Sequence, residues 1–165
     1  MKGGGEINYN IKILFEDNEK FSSFLDTQIR EFNNEHSIHH KEKRKKEAVK
    51  PINIIVSDEN DNWIGGLNAE VYWDWMEINN FWFGEKYRGK GLGGQLLDKA
   101  EKMAKEKGAK RVLLTTYEFQ ARSFYEMKGY KVVGEIKDYP PGTSYYTMVK
   151  ILSLKTDSST NRALN

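Results

Sequence analysis

At 165 residues, with 38% hydrophobic and 13% aromatic content, the chain has the size and apolar share of one folded domain, and its 30% charged residues give it a wetted outside. A balance of 26 Lys and Arg against 24 Asp and Glu leaves a formal charge of +2, which calls for neither a nucleic-acid nor a membrane partner. The absence of cysteine excludes disulfides, thiolate metal sites and cysteine nucleophiles. No apolar run approaches the ~18 residues of a membrane span, and Met1-Lys2-Gly3-Gly4-Gly5 lacks a signal-peptide core, so a cytoplasmic location is expected.

Residues 1–6 and the polar tail 153–165 read as flexible flanks of a single domain over 7–152. From Ile7 to Phe15 the alternation of Ile7, Tyr9, Ile11, Ile13 and Phe15 predicts a first strand. Phe21, Phe24, Leu25, Ile29 and Phe32 then share one helical face, predicting a helix over 18–34 with Asp17 or Asn18 as its cap. The basic stretch His36 to Lys50 has no apolar period and predicts a long loop or a short exposed helix. His36, His39 and His40 within it match no zinc spacing, and no metal is expected.

Pro51 ends that stretch. Ile52 to Val56, the turn at Asp58 to Asn62 and Trp63 to Trp73 predict a hairpin, and Met76 to Phe83 a further strand. Leu92, Leu96, Leu97, Ala100, Met103 and Ala104 predict a helix ended by Gly108. A strand over 111–116, a helix over 120–128 stopped at Gly129, and strands over 130–134 and 145–152 complete the chain. The order β-α-β-β-β-α-β-α-β-β defines an α/β (α+β) sandwich around a mixed sheet.

Arg88-Gly89-Lys90-Gly91-Leu92-Gly93 lies between a strand and a helix. Several N–H groups therefore leave a helix N-terminus unobstructed by side chains, and Arg88 and Lys90 add charge suited to a diphosphate. Gly89, Gly91 and Gly94 also satisfy the dinucleotide pattern, but the next strand, Arg111 to Thr116, lacks the carboxylate that would hold a ribose. No Gly-Lys-Ser/Thr closes the loop as an NTPase requires. A tight turn that merely caps the helix is the plain structural alternative.

Arg88, Gly91 and Gly93 match the cofactor signature of the GNAT superfamily of N-acetyltransferases, and the resemblance runs from about Lys12 to Leu152. Ile64-Gly65-Gly66-Leu67, Tyr72-Trp73-Asp74-Trp75, the segment Phe119 to Glu126 and Asp138-Tyr139-Pro140-Pro141-Gly142 make it similar to a small, largely uncharacterised bacterial branch. The resemblance implies a mostly antiparallel central sheet flanked by helices, and acetyl-CoA as acyl donor. The expected activity is N-acetyl transfer to a primary amine by direct attack in a ternary complex, by a monomer or homodimer. A non-catalytic acyl-CoA-binding module is the alternative.

By the resemblance, backbone groups of Phe81, Trp82 and Phe83 bind the pantetheine arm and thioester, while Arg88, Gly89, Lys90, Gly91, Leu92 and Gly93 bind the pyrophosphate. Tyr125 takes the place of the general acid that protonates the departing sulfur. Glu77 takes the place of the general base, with Asp74 or water as rivals, and strand parity sets it on the face of Asn79, Phe81 and Phe83. Two positions depart from the family pattern. Glu118 replaces an Asn that contacts pantetheine and cannot donate its amide hydrogen bond, and Thr143 replaces a His. The acceptor side is expected along 36–50 and 139–146, with Trp73, Trp75, Tyr139 and Tyr145 as aromatic walls or as ordinary packing.

Overall fold

The computed structural model describes residues 9–152, and by internal contacts the chain divides into two compact units, Met1–Lys41 and Glu42–Asn165. The expected flexible flanks at 1–6 and 153–165 lie outside the described residues. In the first unit, α1 spans Glu19–His36, and its Asn18 cap accepts a hydrogen bond from the Phe21 N–H at 2.9 Å. Residues 9–15 form no strand, and Ile7 lies outside the described residues. Alternation specifies a face but supplies no neighbour, and Tyr9, Ile11, Ile13 and Phe15 of this segment are exposed. The basic stretch contains a short helix, α2, Ile38–Lys43.

The second unit is built on one sheet of order β1-β2-β3-β4-β6-β5. Its strands are β1 Lys50–Ser57, β2 Trp63–Tyr72, β3 Trp75–Phe83, β4 Arg111–Tyr117, β5 Lys131–Lys137 and β6 Ser144–Ile151. Pro51 is tolerated because β1 is an edge strand. Trp73 and Asp74, both at positive φ (50° and 59°), make the two-residue turn of the β2–β3 hairpin, a conformation whose twist matches that of the strands. Helix α3 (Leu92–Glu106) lays Leu96, Leu97, Ala100 and Ala104 on one face of the sheet, against Ile52, Leu67, Met76, Val112 and Met148. Gly108 at φ 97° closes α3, and the short α4 (Arg122–Met127) ends before Gly129 at φ 86°.

All pairings are antiparallel except β3 with β4. That parallel pair holds for three rungs only, Trp75 with Arg111, Met76 with Val112 and Glu77 with Leu113. Beyond Glu77 and Leu113 the two strands part, and the sheet opens into a fork. Among the described residues no helix is long and apolar enough to cross a membrane.

Candidate active site

Strand parity fails in β3 for a local reason. Ala69 faces Ile78 and Asn68 faces Asn80, so Asn79 is an extra residue without a partner, a bulge that reverses the alternation beyond it. Phe81 and Phe83 thereby join Met76 and Ile78 on the face covered by α3, while Glu77, Asn80 and Trp82 occupy the other. The expectation that Glu77 shares a face with Phe81 and Phe83 is corrected accordingly.

The backbone of the β3 arm is similarly sorted. Gly84 N–H donates to the Ile64 carbonyl at 2.9 Å, and antiparallel alternation from that bond turns the backbone groups of Trp82 toward β2 and those of Phe81 and Phe83 toward the open fork. Gly65 is required opposite this arm, since a Cβ there would lie 2.3 Å from the Phe83 ring.

The chain then turns through a 3-10 helix at Glu85–Tyr87 into the glycine loop. Arg88 Nε donates to the Phe83 carbonyl at 2.7 Å, which fixes the guanidinium against the fork and leaves its terminal amino groups for an anion. Gly91, at φ 79°, caps α3 without a side chain, and the Gln95 N–H donates to its carbonyl at 3.2 Å. The N–H groups of Leu92, Gly93 and Gly94 precede that first helical bond and point out of the helix end. Gly89 and Lys90 form the exposed rim of the loop. A Cβ at Gly93 would meet Phe81 and Phe124 at 3.6 and 3.7 Å, so the loop abuts the fork directly.

Tyr125 sits on α4 on the same side. Its ring packs against Phe81 (6.5 Å between centroids), Phe124 (5.2 Å) and Tyr130 (5.5 Å). Burial pushes its phenol up to about 12, so the hydroxyl keeps its proton throughout the neutral range. Behind it Tyr130 donates to the buried Glu101 at 3.0 Å, and Lys150 reaches the same carboxylate at 2.6 and 2.9 Å. Lys128 is a further cation that sequence reading missed: its ammonium lies 3.6 Å from where a Gly94 Cβ would stand and pairs with Asp98 at 2.6 Å.

On the opposite face, at the base of the fork, Glu77 accepts a hydrogen bond from the Tyr72 hydroxyl. Glu70 stands directly across from Glu77, and burial, followed by the bond to Glu77 and the charges of both carboxylates, raises the Tyr72 phenol far above its ordinary value. The Lys43 ammonium lies 3.4 Å from the Tyr72 ring centroid. Asp74 is drawn away from this group, pairing with Lys110 at 3.2 Å and Arg111 at 3.4 Å. Trp75 is stacked beneath Arg111, 5.3 Å from its guanidinium carbon.

Glu118 exposes its side chain, and its N–H donates to the Ser144 carbonyl at 2.9 Å. Thr143 closes the β5–β6 turn through backbone bonds to Pro140 and Tyr139, both 3.2 Å. His36 caps the end of α1 by a 2.8 Å contact with the Phe32 carbonyl, and among the described residues no group of three or more His, Asp or Glu could hold a metal.

A mostly antiparallel sheet that forks between β3 and β4, with the glycine loop and the start of α3 opening onto the fork, is the fold of a GNAT-type acyltransferase. Residues 18–130 match the acetyltransferase (GNAT) family model, and the chain belongs to that family. It is similar to the blasticidin-S acetyltransferase of Streptomyces morookaense, with 39% identity over 53% of this chain and 65% of that protein, slightly under two thirds of the relative's length. The structure of an acetyltransferase from Bacillus cereus is 27% identical, covers 86% of this chain and 98% of its own, and superposes with a TM-score of 0.74. An aminoglycoside 6'-N-acetyltransferase complexed with coenzyme A shares the fold at 16% identity and a TM-score of 0.56, over 88% of this chain and all of its own.

Proposed function

We propose that the chain transfers the acetyl group of acetyl-CoA to a primary amine of a small molecule within a ternary complex. The observation that carries this reading is the convergence of the glycine loop and Tyr125 on Phe81 at the fork. Arg88 and the N–H groups of Leu92, Gly93 and Gly94 hold the pyrophosphate, with Gly89, Lys90 and Gly91 shaping its rim. Phe81 and Phe83 offer backbone groups to the arm and carbonyl that enter the fork.

The acceptor nitrogen attacks the thioester carbon, and the carbon–sulfur bond breaks. Tyr125 gives its proton to the departing sulfur and recovers one from solvent; burial keeps the phenol protonated and so available for that step. Glu77 receives the proton lost by the amine, directly or through water, with Tyr72 orienting its carboxylate. Asp74 is the weaker candidate because two cations already hold it. A small-molecule acceptor is favoured by the likeness to a relative named for blasticidin S.

A panel of amines incubated with acetyl-CoA, followed by release of free thiol, tests the reading. Transfer to small amines that is lost in Tyr125→Phe is expected. Tight acetyl-CoA binding with silence across every amine class would instead leave a non-catalytic acyl-CoA-binding module.

A further inference from the structure

Helix α4 carries Tyr125 against Phe81 of the fork, and Lys128 caps its C-terminus, the Lys128 N–H donating to the carbonyls of Phe124 and Tyr125 at 3.1 and 3.0 Å. Phenol and cation are therefore fixed to the same turn. The Lys128 side chain leaves α4 and lies along the start of α3. Its ammonium pairs with Asp98 at 2.6 Å and stands 3.6 Å from where a Gly94 Cβ would be. Of the two paired side chains the lysine is the more enclosed, 23% exposed against 61% for the aspartate, so packing along its stem holds it in place more than the acid does.

No backbone demand accounts for Gly94. It lies in the first turn of α3 and outside the left-handed region, where glycine is less stable than alanine, and a Cβ there would make only ordinary contact. What glycine does leave is a clear line from the Lys128 ammonium to the helix end, which a longer side chain would close. The Gly94 N–H is one of the three that precede the first helical bond. Amide nitrogen and Cβ of one residue are about 2.5 Å apart, so the ammonium lies within about 6 Å of that nitrogen. A phosphate accepting from the N–H at about 2.9 Å spans this gap to a charged donor.

Asp98 is the first carboxylate along α3, one turn behind Gly94 on the same strip. Left alone, it would repel an anion at the helix end. Paired, it is neutralised by Lys128 but competes with the anion for the three N–H donors of the ammonium. We infer that Lys128 is a ligand of the cofactor's pyrophosphate and that Asp98 restrains it, so that the pair sets how tightly the nucleotide end of the cofactor is held. The inference rests on the acetyl-CoA reading of the glycine loop. The plain alternative for a lysine–aspartate pair is a strut joining α4 to α3, and breaking a strut from either end weakens binding or leaves it untouched.

Isothermal titration of CoA and of 3'-dephospho-CoA, which keeps the pyrophosphate, into wild type, Lys128→Met and Asp98→Asn separates the two, each variant being titrated below its melting temperature. Lys128→Met is expected to raise the Kd of both ligands about fivefold or more, through loss of a charged hydrogen bond. Asp98→Asn removes the competing charge and is expected to lower both Kd values about two- to threefold. Weakening in both variants, no weakening in Lys128→Met, or no tightening in Asp98→Asn overturns the inference. Shifts seen with CoA and absent with 3'-dephospho-CoA also overturn it, since the lysine would then serve the 3'-phosphate. Wild type that binds neither ligand would instead end the acetyl-CoA reading itself.

Discussion

Arg88 Nε donates to the carbonyl of Phe83 at 2.7 Å, so one side chain joins the glycine loop to the arm of the fork. A lysine has no second donor in a fixed plane and cannot serve both partners. Arg88→Ala is expected to raise the KM for acetyl-CoA roughly tenfold or more, the ~1.5 to 3 kcal/mol typical of a hydrogen bond to a charged group. Arg88→Lys should recover less than half of that on the free-energy scale. Isothermal titration with CoA checks both values, and an unchanged affinity in Arg88→Ala would remove the loop from the cofactor site.

Tyr125 keeps its proton because burial pushes it up to about 12 from the ordinary 10.0. Turnover should therefore show no basic limb from this group below about pH 11, and Tyr125→Phe should lower kcat by about 10²-fold with CoA affinity intact. The sign for stability follows from the same shift. The folded protein retains a proton that the unfolded chain loses, so this contribution is complete below pH 10.0 and is lost as pH rises toward about 12. Melting temperatures across that window should fall less in Tyr125→Phe than in wild type.

The loop was legible in the sequence because its chemistry is local: glycines, two cations and a helix onset lie within a few residues. The fork arms were not, because Asn79 differs in no visible way from a regular strand residue, and only the pairing of Asn68 with Asn80 reveals the bulge that moves Phe81 and Phe83 to the other face. Alternation over 7–15 likewise predicts a strand, but residues 9–15 form none, because the period of a segment says which side chains share a face and not whether a partner strand is present. Tyr139 and Tyr145 stood out as aromatic residues, but the contact of Tyr145 with Tyr117 depends on the β4–β6 register, which is a long-range fact.

Glu77 receives the Tyr72 hydroxyl and has Glu70 opposite, an arrangement of like charges that a strand pair tolerates only at some cost. If the carboxylate takes the acceptor's proton, Glu77→Gln should lower kcat/KM about 10²-fold at pH 7. The deficit should narrow as pH approaches the amine's own value, since a free amine needs no base. Tyr72→Phe, which removes only the orienting donor, should give a smaller loss with the same trend. A deficit of constant size from pH 6 to 10 would reduce Glu77 to a positioning residue.

Lys150 and Glu101 tie β6 to α3 at 2.6 Å in the core, with the Tyr130 hydroxyl on the same carboxylate. Removing the cation strands a buried carboxylate, so Lys150→Met is expected to cost about 3 to 5 kcal/mol. For a chain of this length that is a fall of roughly 6 to 20 °C in Tm. The double variant Glu101→Gln with Lys150→Met removes the stranded charge, and the neutral amide still accepts from Tyr130, so it should be more stable than Lys150→Met alone. Because the pair lies behind Tyr130, away from the glycine loop, CoA affinity should hold at temperatures where both variants are folded. A double variant no more stable than the single one would mean that the lysine acts by packing its stem and by covering the Tyr130 ring, 5.4 Å away, with its charge pairing incidental.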